Sequence, residues 1–200
     1  MQRLSKLKTL QIVYCPLLSA NCREEDDCLS SLTQLKSLSI GGGFSNELEA
    51  FPAGVLKSIQ HLSGSLGSLV IIGWDKLKSV PHQLHHLTAL ESLSIRGFNE
   101  DDFEEAMPDW LANLSSLRSL EILNLKYMPS STAIQRLSKL KILSISGCPH
   151  LSENCRKENG SEWSKISYIS SIHIERTRVQ VRWYLNIFLL LCMQRIFFLL

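Results

Sequence analysis

The chain has 200 residues, of which 44% are apolar and 20% charged, so it can bury a core and intrinsic disorder is not expected. Its net charge of +2 provides no electrostatic basis for binding nucleic acid. None of the six cysteines forms a C-x-x-C pair, which argues against zinc-ribbon and thioredoxin-like proteins, and the opening residues lack the apolar stretch of a secretory signal. We therefore expect reduced thiols and a cytoplasmic protein.

One pattern, L-x-x-L-x-x-L-x-I, recurs six times along the chain, with the third copy looser than the others. Its final isoleucines advance by 28, 31, 24, 27 and 23 residues. Leucine-rich repeats have a period of about 20–29 residues, so this spacing is typical of them. In chain order, the isoleucines are Ile12, Ile40, Ile71, Ile95, Ile122 and Ile145.

The L-x-I pair predicts a short strand, because a period of two sends both side chains to one face. Stacked units would align these strands in a parallel sheet and share one core. A helical bundle would accommodate leucines three apart, but it fits neither the L-x-I pair nor the intervening Gly and Pro residues. The predicted fold is therefore an α/β leucine-rich-repeat solenoid. It has one short parallel strand per repeat on the concave face and helical or irregular turns on the convex face.

The repeats are irregular in sequence. Three residues after each Ile, this repeat type usually has an Asn or Cys that bonds to the loop backbone, and only the first and sixth copies fit. The six positions hold Cys15, Gly43, Trp74, Phe98, Leu125 and Cys148. Residues 2–27 and 135–160 are identical at 17 of 26 aligned positions, which is more than packing requires and indicates a segmental duplication.

The stretch from Cys148 to Glu175, CPHLSENCRKENGSEWSKISYISSIHIE, resembles the terminal repeat and cap of plant nucleotide-binding leucine-rich-repeat (NB-ARC-LRR) disease resistance proteins of the coiled-coil class. Arrays of that family often close with C-P-x-L, then C, then G-E-D-W-x-K-I-x-H-I-P-x-I-x-I. Ser161, Tyr168 and Ser170 depart from this pattern. The matching residues are Gly160, Trp163, Lys165, Ile166, Ile169, Ile172 and Ile174. The resemblance covers roughly residues 2–175.

The resemblance implies a domain over residues 1–175, with about six repeats and a C-terminal cap at 148–175. It also implies the recognition region of an intracellular immune receptor in plant defence. Such a region senses a pathogen effector or a guarded host protein, and in the intact receptor it holds the nucleotide-binding switch off. The switch itself is not expected here, because no G-x-x-x-x-G-K-[ST] sequence occurs. We expect no cofactor.

The sequence does not favour a zinc site, a calcium site or a catalytic site. His82, His85 and His86 have a helical spacing that can hold zinc, but no carboxylate or Cys completes the set, so we expect surface histidines. The acidic clusters at 24–27 and 100–105 lack a calcium-loop pattern and are expected to be solvated loops. No catalytic triad spacing or G-x-S-x-G sequence is present, so we do not expect an enzyme.

The predicted binding surface is the concave face, formed by side chains between and just after the L-x-I pair. These are Gln11, Val13, Tyr14, Ser39, Val70, Ile72, Ser94, Arg96, Glu121, Leu123, Ser144 and Ser146. Together they mix apolar and charged groups, which suits a protein partner better than a phosphate or a sugar.

Residues 176–200 form a tail of different character, basic at first and then apolar. The 18 residues from 183 to 200 are at the lower limit for a membrane-spanning helix and contain Asn186, Gln194 and Arg195. One alternative is therefore a tail-anchored, membrane-associated repeat protein. We favour a loosely packed extension beyond the usual end of the family's cap. A gene fragment without function remains a further alternative.

Overall fold

The computed structural model describes residues 5–15, 29–42, 50–73, 78–97, 109–124, 131–157 and 159–175. The acidic clusters at 24–27 and 100–105 and the tail at 176–200 lie outside the described residues. The same holds for four of the Asn/Cys positions, at 43, 74, 98 and 125.

Seven parallel strands form one sheet in which the strands follow sequence order. The register aligns the same pattern position in every repeat, so that Leu38 of the second strand lies between Leu10 and Leu69. The strands are β1 (Thr9–Val13), β2 (Ser37–Gly41), β3 (Ser68–Ile72), β4 (Ser92–Arg96), β5 (Ser119–Leu123), β6 (Ile142–Ser146) and β7 (Ser171–Glu175). The first six contain the six predicted L-x-I pairs.

The seventh strand lies within the cap and is not one of the predicted repeats. Ile172 and Ile174 have the same spacing of two as the L-x-I pairs, and they align with Leu143 and Ile145 of β6. Ile166 and Ile169 precede them at the positions of the repeat leucines, so the same register occurs here with isoleucine in place of leucine. The cap therefore continues the sheet by one strand.

Short helices form a second layer that packs against the inner side of the sheet. Side chains from both layers, such as Leu38 and Ile40 on the sheet and Val55 and Ile59 on a helix, are at most 1% exposed. Among the described residues, the α-helices are α1 (Ala53–Gln60), α2 (Ser131–Gln135), α3 (Pro149–Asn154) and α4 (Trp163–Ile166), and the 3-10 helices are His82–His86 and Asp109–Asn113. This two-layer arrangement confirms the predicted α/β solenoid.

The core is a continuous stack of repeat leucines and isoleucines. Each buried side chain of this size contributes about 1.5–3 kcal/mol relative to an exposed one. Ser58, a polar side chain with no exposure, is accommodated because its hydroxyl donates to the Gly54 carbonyl oxygen at 2.8 Å. The Ser58 hydroxyl oxygen in turn accepts from the Leu29 backbone N–H at 3.2 Å and so ties helix α1 to the start of the second repeat.

The chain leaves five strands through a residue in the left-handed backbone conformation, two positions after the pattern Ile. Gly42, Gly97 and Gly147 have φ of 60°, 69° and 66°, Asn124 has 55° and Tyr14 has 58°. Glycine adopts this conformation without cost and Asn tolerates it, whereas other residues lose about 1–2 kcal/mol. Gly or Asn at this position is therefore a more regular mark of the repeat than Asn or Cys at the next position.

The cap extends the core of the repeats. Cys148, Cys155 and Ile166 have no exposure, and the Tyr168 hydroxyl donates to the Ile134 carbonyl oxygen at 2.6 Å. Burial, the nearby Glu162 carboxylate and Cys148 raise the pKa of the Cys155 thiol to about 12.

Residues 183–200, the possible membrane segment of the sequence, lie outside the described residues. Among the residues that are described, no helix has the length and apolar character needed to cross a bilayer.

Candidate functional site

The outward side chains of the sheet form three rows that run across the strands. The upper row consists of Val13, Gly41, Ile72, Arg96, Leu123 and Ser146. The middle row consists of Gln11, Ser39, Val70, Ser94, Glu121, Ser144 and His173. The lower row consists of Thr9, Ser37, Ser68, Ser92, Ser119, Ile142 and Ser171.

The structure brings the predicted binding residues onto one face, in the upper and middle rows, with Tyr14 just beyond the end of β1. Sequence reasoning missed the lower row and the seventh strand. The period of two could have revealed the lower row, because continuing the alternation backwards places the residue before each leucine on the outward face. This row is mostly serine, and its one large apolar side chain, Ile142, is 44% exposed.

An apolar patch lies at the first three strands. The Tyr14 ring packs over Gly42, where an added Cβ would lie 3.4 Å from the Tyr14 Cζ and 3.5 Å from the Ile72 Cγ2. Burial raises the pKa of the Tyr14 phenol above its ordinary value. Gly41 has φ of 127°, and a Cβ there would overlap the Ile72 carbonyl oxygen. Glycine is thus required for β2 to approach β3 and for the aromatic ring to lie across them.

A polar trio lies at the centre of the face, on the adjacent strands β4 and β5. The Arg96 Nη2 donates to the Glu121 Oε2 at 2.6 Å, and the Arg96 Nε donates to the Ser94 Oγ at 2.6 Å. The Ser94 hydroxyl in turn donates to the same Glu121 oxygen at 2.5 Å. The three side chains hold one another in a single geometry, and the arginine and glutamate remain 41% and 36% exposed.

Two serines that the sequence placed on the exposed surface are buried. Ser94 is 5% exposed because the longer Arg96 and Glu121 side chains lie over it. Ser146 is 9% exposed. A short side chain at the floor of a concave sheet lies below its longer neighbours. These two serines therefore offer little surface to a partner.

A basic rim borders the lower row. It is the row of residues that immediately precede the strands, and their backbones are bonded in sequence: the Lys36 N–H donates to the Lys8 carbonyl oxygen and the Lys141 N–H to that of Arg118, each at 2.8 Å. We call Lys8, Lys36, Arg118 and Lys141 the basic rim. All four are exposed. Glu91 interrupts the rim, with its carboxylate oxygen 3.9 Å from the Arg118 Nε.

The histidines lie away from this face, in the 3-10 helix His82–His86. The His85 and His86 ring centroids are 3.8 Å apart, and the His85 Nδ1 lies 2.6 Å from the His82 carbonyl oxygen. Within the part of the chain that is described, no group of three or more His, Cys, Asp or Glu side chains is placed to hold a metal ion.

A cavity of about 390 Å³ opens at the cap. Its lining is Ser152, Arg156, Lys157, Trp163, Ile172 and Ile174. It thus lies beside the core-side isoleucines of β7, far from the polar trio along the sheet.

Two solved structures share this architecture. An internalin from Listeria monocytogenes aligns with a TM-score of 0.53 and 20% identity, over 88% of this chain and 49% of the internalin. The leucine-rich-repeat domain of the type III effector XopL aligns with a TM-score of 0.51 and 21% identity, over 84% of this chain and 52% of that domain. The chain has the leucine-rich-repeat fold. It spans about half the length of each of these two proteins. No protein-family model and no curated protein sequence matches it.

Proposed function

We propose that this leucine-rich-repeat solenoid is a protein-binding scaffold that recognises its partner through the concave face. Solenoids of this kind present an extended curved surface, and here seven strands contribute to it. The observation that carries the proposal is the composition of the three rows. Large apolar groups, short serines and a fixed charged pair alternate over this surface, and this composition suits a polypeptide.

We further propose that the scaffold is the recognition and autoinhibitory region of a plant intracellular immune receptor of the coiled-coil class. The support comes from the cap, where residues that carry the resemblance also form the core. Cys148, Cys155 and Ile166 are fully buried, and Ile169 is 5% exposed. The partner would be a pathogen effector or a guarded host protein, or the nucleotide-binding switch in a full-length homologue. We propose a cytoplasmic location, and neither a cofactor nor a catalytic step is part of the function.

The binding proposal is tested by comparing variants on opposite sides of the solenoid. Val70→Glu places a charge in the middle row of the concave face, whereas Lys57→Glu changes an exposed side chain on helix α1. Tagged full-length chains are expressed in leaf cells, with and without pathogen challenge, and captured proteins are quantified by mass spectrometry. We expect a protein retained by the wild type and Lys57→Glu and lost by Val70→Glu, with all three equally folded by circular dichroism.

Equal capture by the two variants would contradict binding through the concave face. A protein captured only after challenge, or one that contains a nucleotide-binding switch, would support the receptor assignment. Capture confined to proteins unrelated to defence would contradict it.

The location is tested by fractionating an N-terminally tagged chain with a carbonate wash. Recovery in the soluble fraction agrees with the cytoplasmic proposal. Retention in the membrane fraction, with release on deletion of residues 179–200, would instead support the tail-anchored alternative.

A further inference from the structure

We propose that Arg96 is the anchor for a carboxylate of the partner, so that the concave face binds an acidic segment of polypeptide. The inference rests on the proposed protein-binding function and names the chemistry of the segment bound. It begins from the polar trio at the centre of the face.

Arg96 is oriented before any partner arrives. Its Nε and Nη2 donate to Ser94 and Glu121, which leaves the Nη1 side of the guanidinium facing away from both acceptors. No hydrogen bond from Nη1 is found within the described part of the chain, and the side chain is 41% exposed. A guanidinium presents a planar fork that matches a carboxylate, and one already fixed in place loses little rotational freedom on binding.

Apolar neighbours flank Arg96 along the upper row, Ile72 on one side and Leu123 on the other. A partner chain that covers these two side chains would exclude water from the guanidinium and strengthen its bond to a carboxylate. Arginine surrounded by apolar contacts is a common arrangement at energetically dominant positions of protein interfaces. The segment bound should therefore carry apolar residues next to its acid.

The charge of the surrounding face favours an acid over a base. The negative charge of Glu121 already offsets the positive charge of Arg96, so the net charge of the surface depends on the basic rim. Counting the described side chains of the three outward rows and of the row that precedes the strands, five are cationic and two anionic: Lys8, Lys36, Arg96, Arg118 and Lys141 against Glu91 and Glu121. Clefts with an excess of one sign attract ligands of the other.

The rim and Arg96 act on different groups of the partner. In each repeat the upper-row residue comes five positions after the rim residue, a distance of about 16 Å in an extended chain. Since this exceeds the screening length of about 8 Å at physiological salt, the rim attracts further acids of the segment and does not affect the carboxylate on Arg96. The serines between the two levels are short enough to leave room for an extended chain.

The test uses two pools of short fluorescein-labelled peptides and the full chain, with binding read by fluorescence anisotropy. One pool contains Glu, Leu and Ser in random order, and the matched pool replaces every Glu with Gln. We expect the acidic pool to bind at least about tenfold more tightly, and its affinity to fall as salt is raised.

Three variants separate an anchor from a merely structural residue. Arg96→Met keeps the apolar stem and is expected to weaken the acidic pool about tenfold. Glu121→Gln keeps a hydrogen-bond acceptor for Arg96 while removing the competing negative charge, so binding should be retained or tightened. Lys57→Met on α1 removes the same charge as Arg96→Met from the opposite side and should change nothing.

Weaker binding in Arg96→Met together with retained or tighter binding in Glu121→Gln supports the anchor, whereas losses in both variants would assign Arg96 a structural role only. Equal binding of the two pools, or binding of neither, would overturn the inference. If the Gln pool binds equally and Val70→Glu abolishes that binding, the acidic preference fails while the protein-binding function survives. If Val70→Glu has no effect on any captured protein or peptide, the protein-binding function itself fails.

Discussion

The first and sixth repeats have nearly the same sequence, LSKLKTLQIVYC and LSKLKILSISGC, yet they differ in burial. Leu143 and Cys148 in the sixth repeat have no exposure. The equivalent Leu10 in the first repeat is partly exposed, and Cys15 is exposed. The sixth strand lies between β5 and β7, whereas in the described chain β1 borders only β2. The burial of a repeat side chain therefore depends on its flanking repeats as much as on its own sequence.

This comparison bears on stability because a solenoid's stability is approximately a sum of repeat and nearest-neighbour terms. Equivalent positions in two similar repeats with different neighbours therefore report on the neighbour term.

Thiol reactivity should differ most between the two repeats. Cys15 is exposed, so it should react freely with a maleimide near neutral pH. Cys148 is buried and donates to the Ser146 carbonyl oxygen at 3.3 Å, so it should react only after local opening, at least about a hundredfold more slowly. Alkylation resolved residue by residue by mass spectrometry checks this, and similar rates would show that the sixth repeat opens readily. Added denaturant should bring the alkylation rates of the two cysteines together.

Leucine truncation should cost much more in the sixth repeat than in the first. Leu143→Ala removes a fully buried side chain and should lower the free energy of unfolding by about 3 kcal/mol or more. Leu10→Ala removes a partly exposed one and should cost about 1 kcal/mol. Urea unfolding followed by circular dichroism measures both. Equal losses would mean that the first repeat is covered as fully as the sixth.

The left-handed turn after β6 should not tolerate a side chain. Gly147→Ala forces a Cβ into a residue with φ of 66° and against the Asn124 Oδ1, at a cost of about 1–2 kcal/mol. Gly64→Ala is the matched control, because a Cβ there meets nothing within 4 Å. It should leave stability unchanged or raise it by about 0.5 kcal/mol. Equal effects of the two substitutions in urea unfolding would contradict the turn geometry.

Alkaline pH should destabilise the fold through Cys155. Its folded pKa of about 12 lies above the reference value of 9.0, so the unfolded chain loses the thiol proton first. The stabilisation is complete below about pH 9 and is lost as pH rises towards 12, by up to about 1.4 kcal/mol per pH unit. In urea unfolding at pH 8 to 10, the free energy of unfolding should fall more steeply with pH in the wild type than in Cys155→Ala. If the free energy of unfolding fell equally with pH in both chains, the raised pKa of Cys155 would be contradicted.

Converting the first repeat towards the sixth should have the smallest effect. Tyr14→Gly relieves a left-handed backbone worth about 1 kcal/mol, but it removes the ring that packs over Gly42. We expect the free energy of unfolding to stay within about 1 kcal/mol of the wild type, because the two contributions oppose each other. A large loss would show that ring packing dominates, and a large gain that backbone strain dominates. Thermal unfolding compares the two chains.

Much of the candidate site could be predicted from the sequence, because side-chain direction in a strand follows the period of two. The L-x-I pairs placed Val70, Arg96 and Glu121 on the open face and their neighbours in the core. The pattern could not reveal that Ser94 lies beneath Arg96 and Glu121, since that depends on side chains from two strands separated by 27 residues. Nor did it mark the basic rim, whose members align only when the strands are in register.

The sequence by itself determined the repeat, the strand positions, the inward and outward faces and the leucine-rich-repeat fold, because all of these follow from local spacing and from burial of apolar side chains. The tertiary structure decided which repeat copy is covered and that Arg96, Glu121 and Ser94 form one hydrogen-bonded group. Those features arise from contacts between segments far apart in the chain. Near-identical sequences such as those of the first and sixth repeats therefore end in different environments.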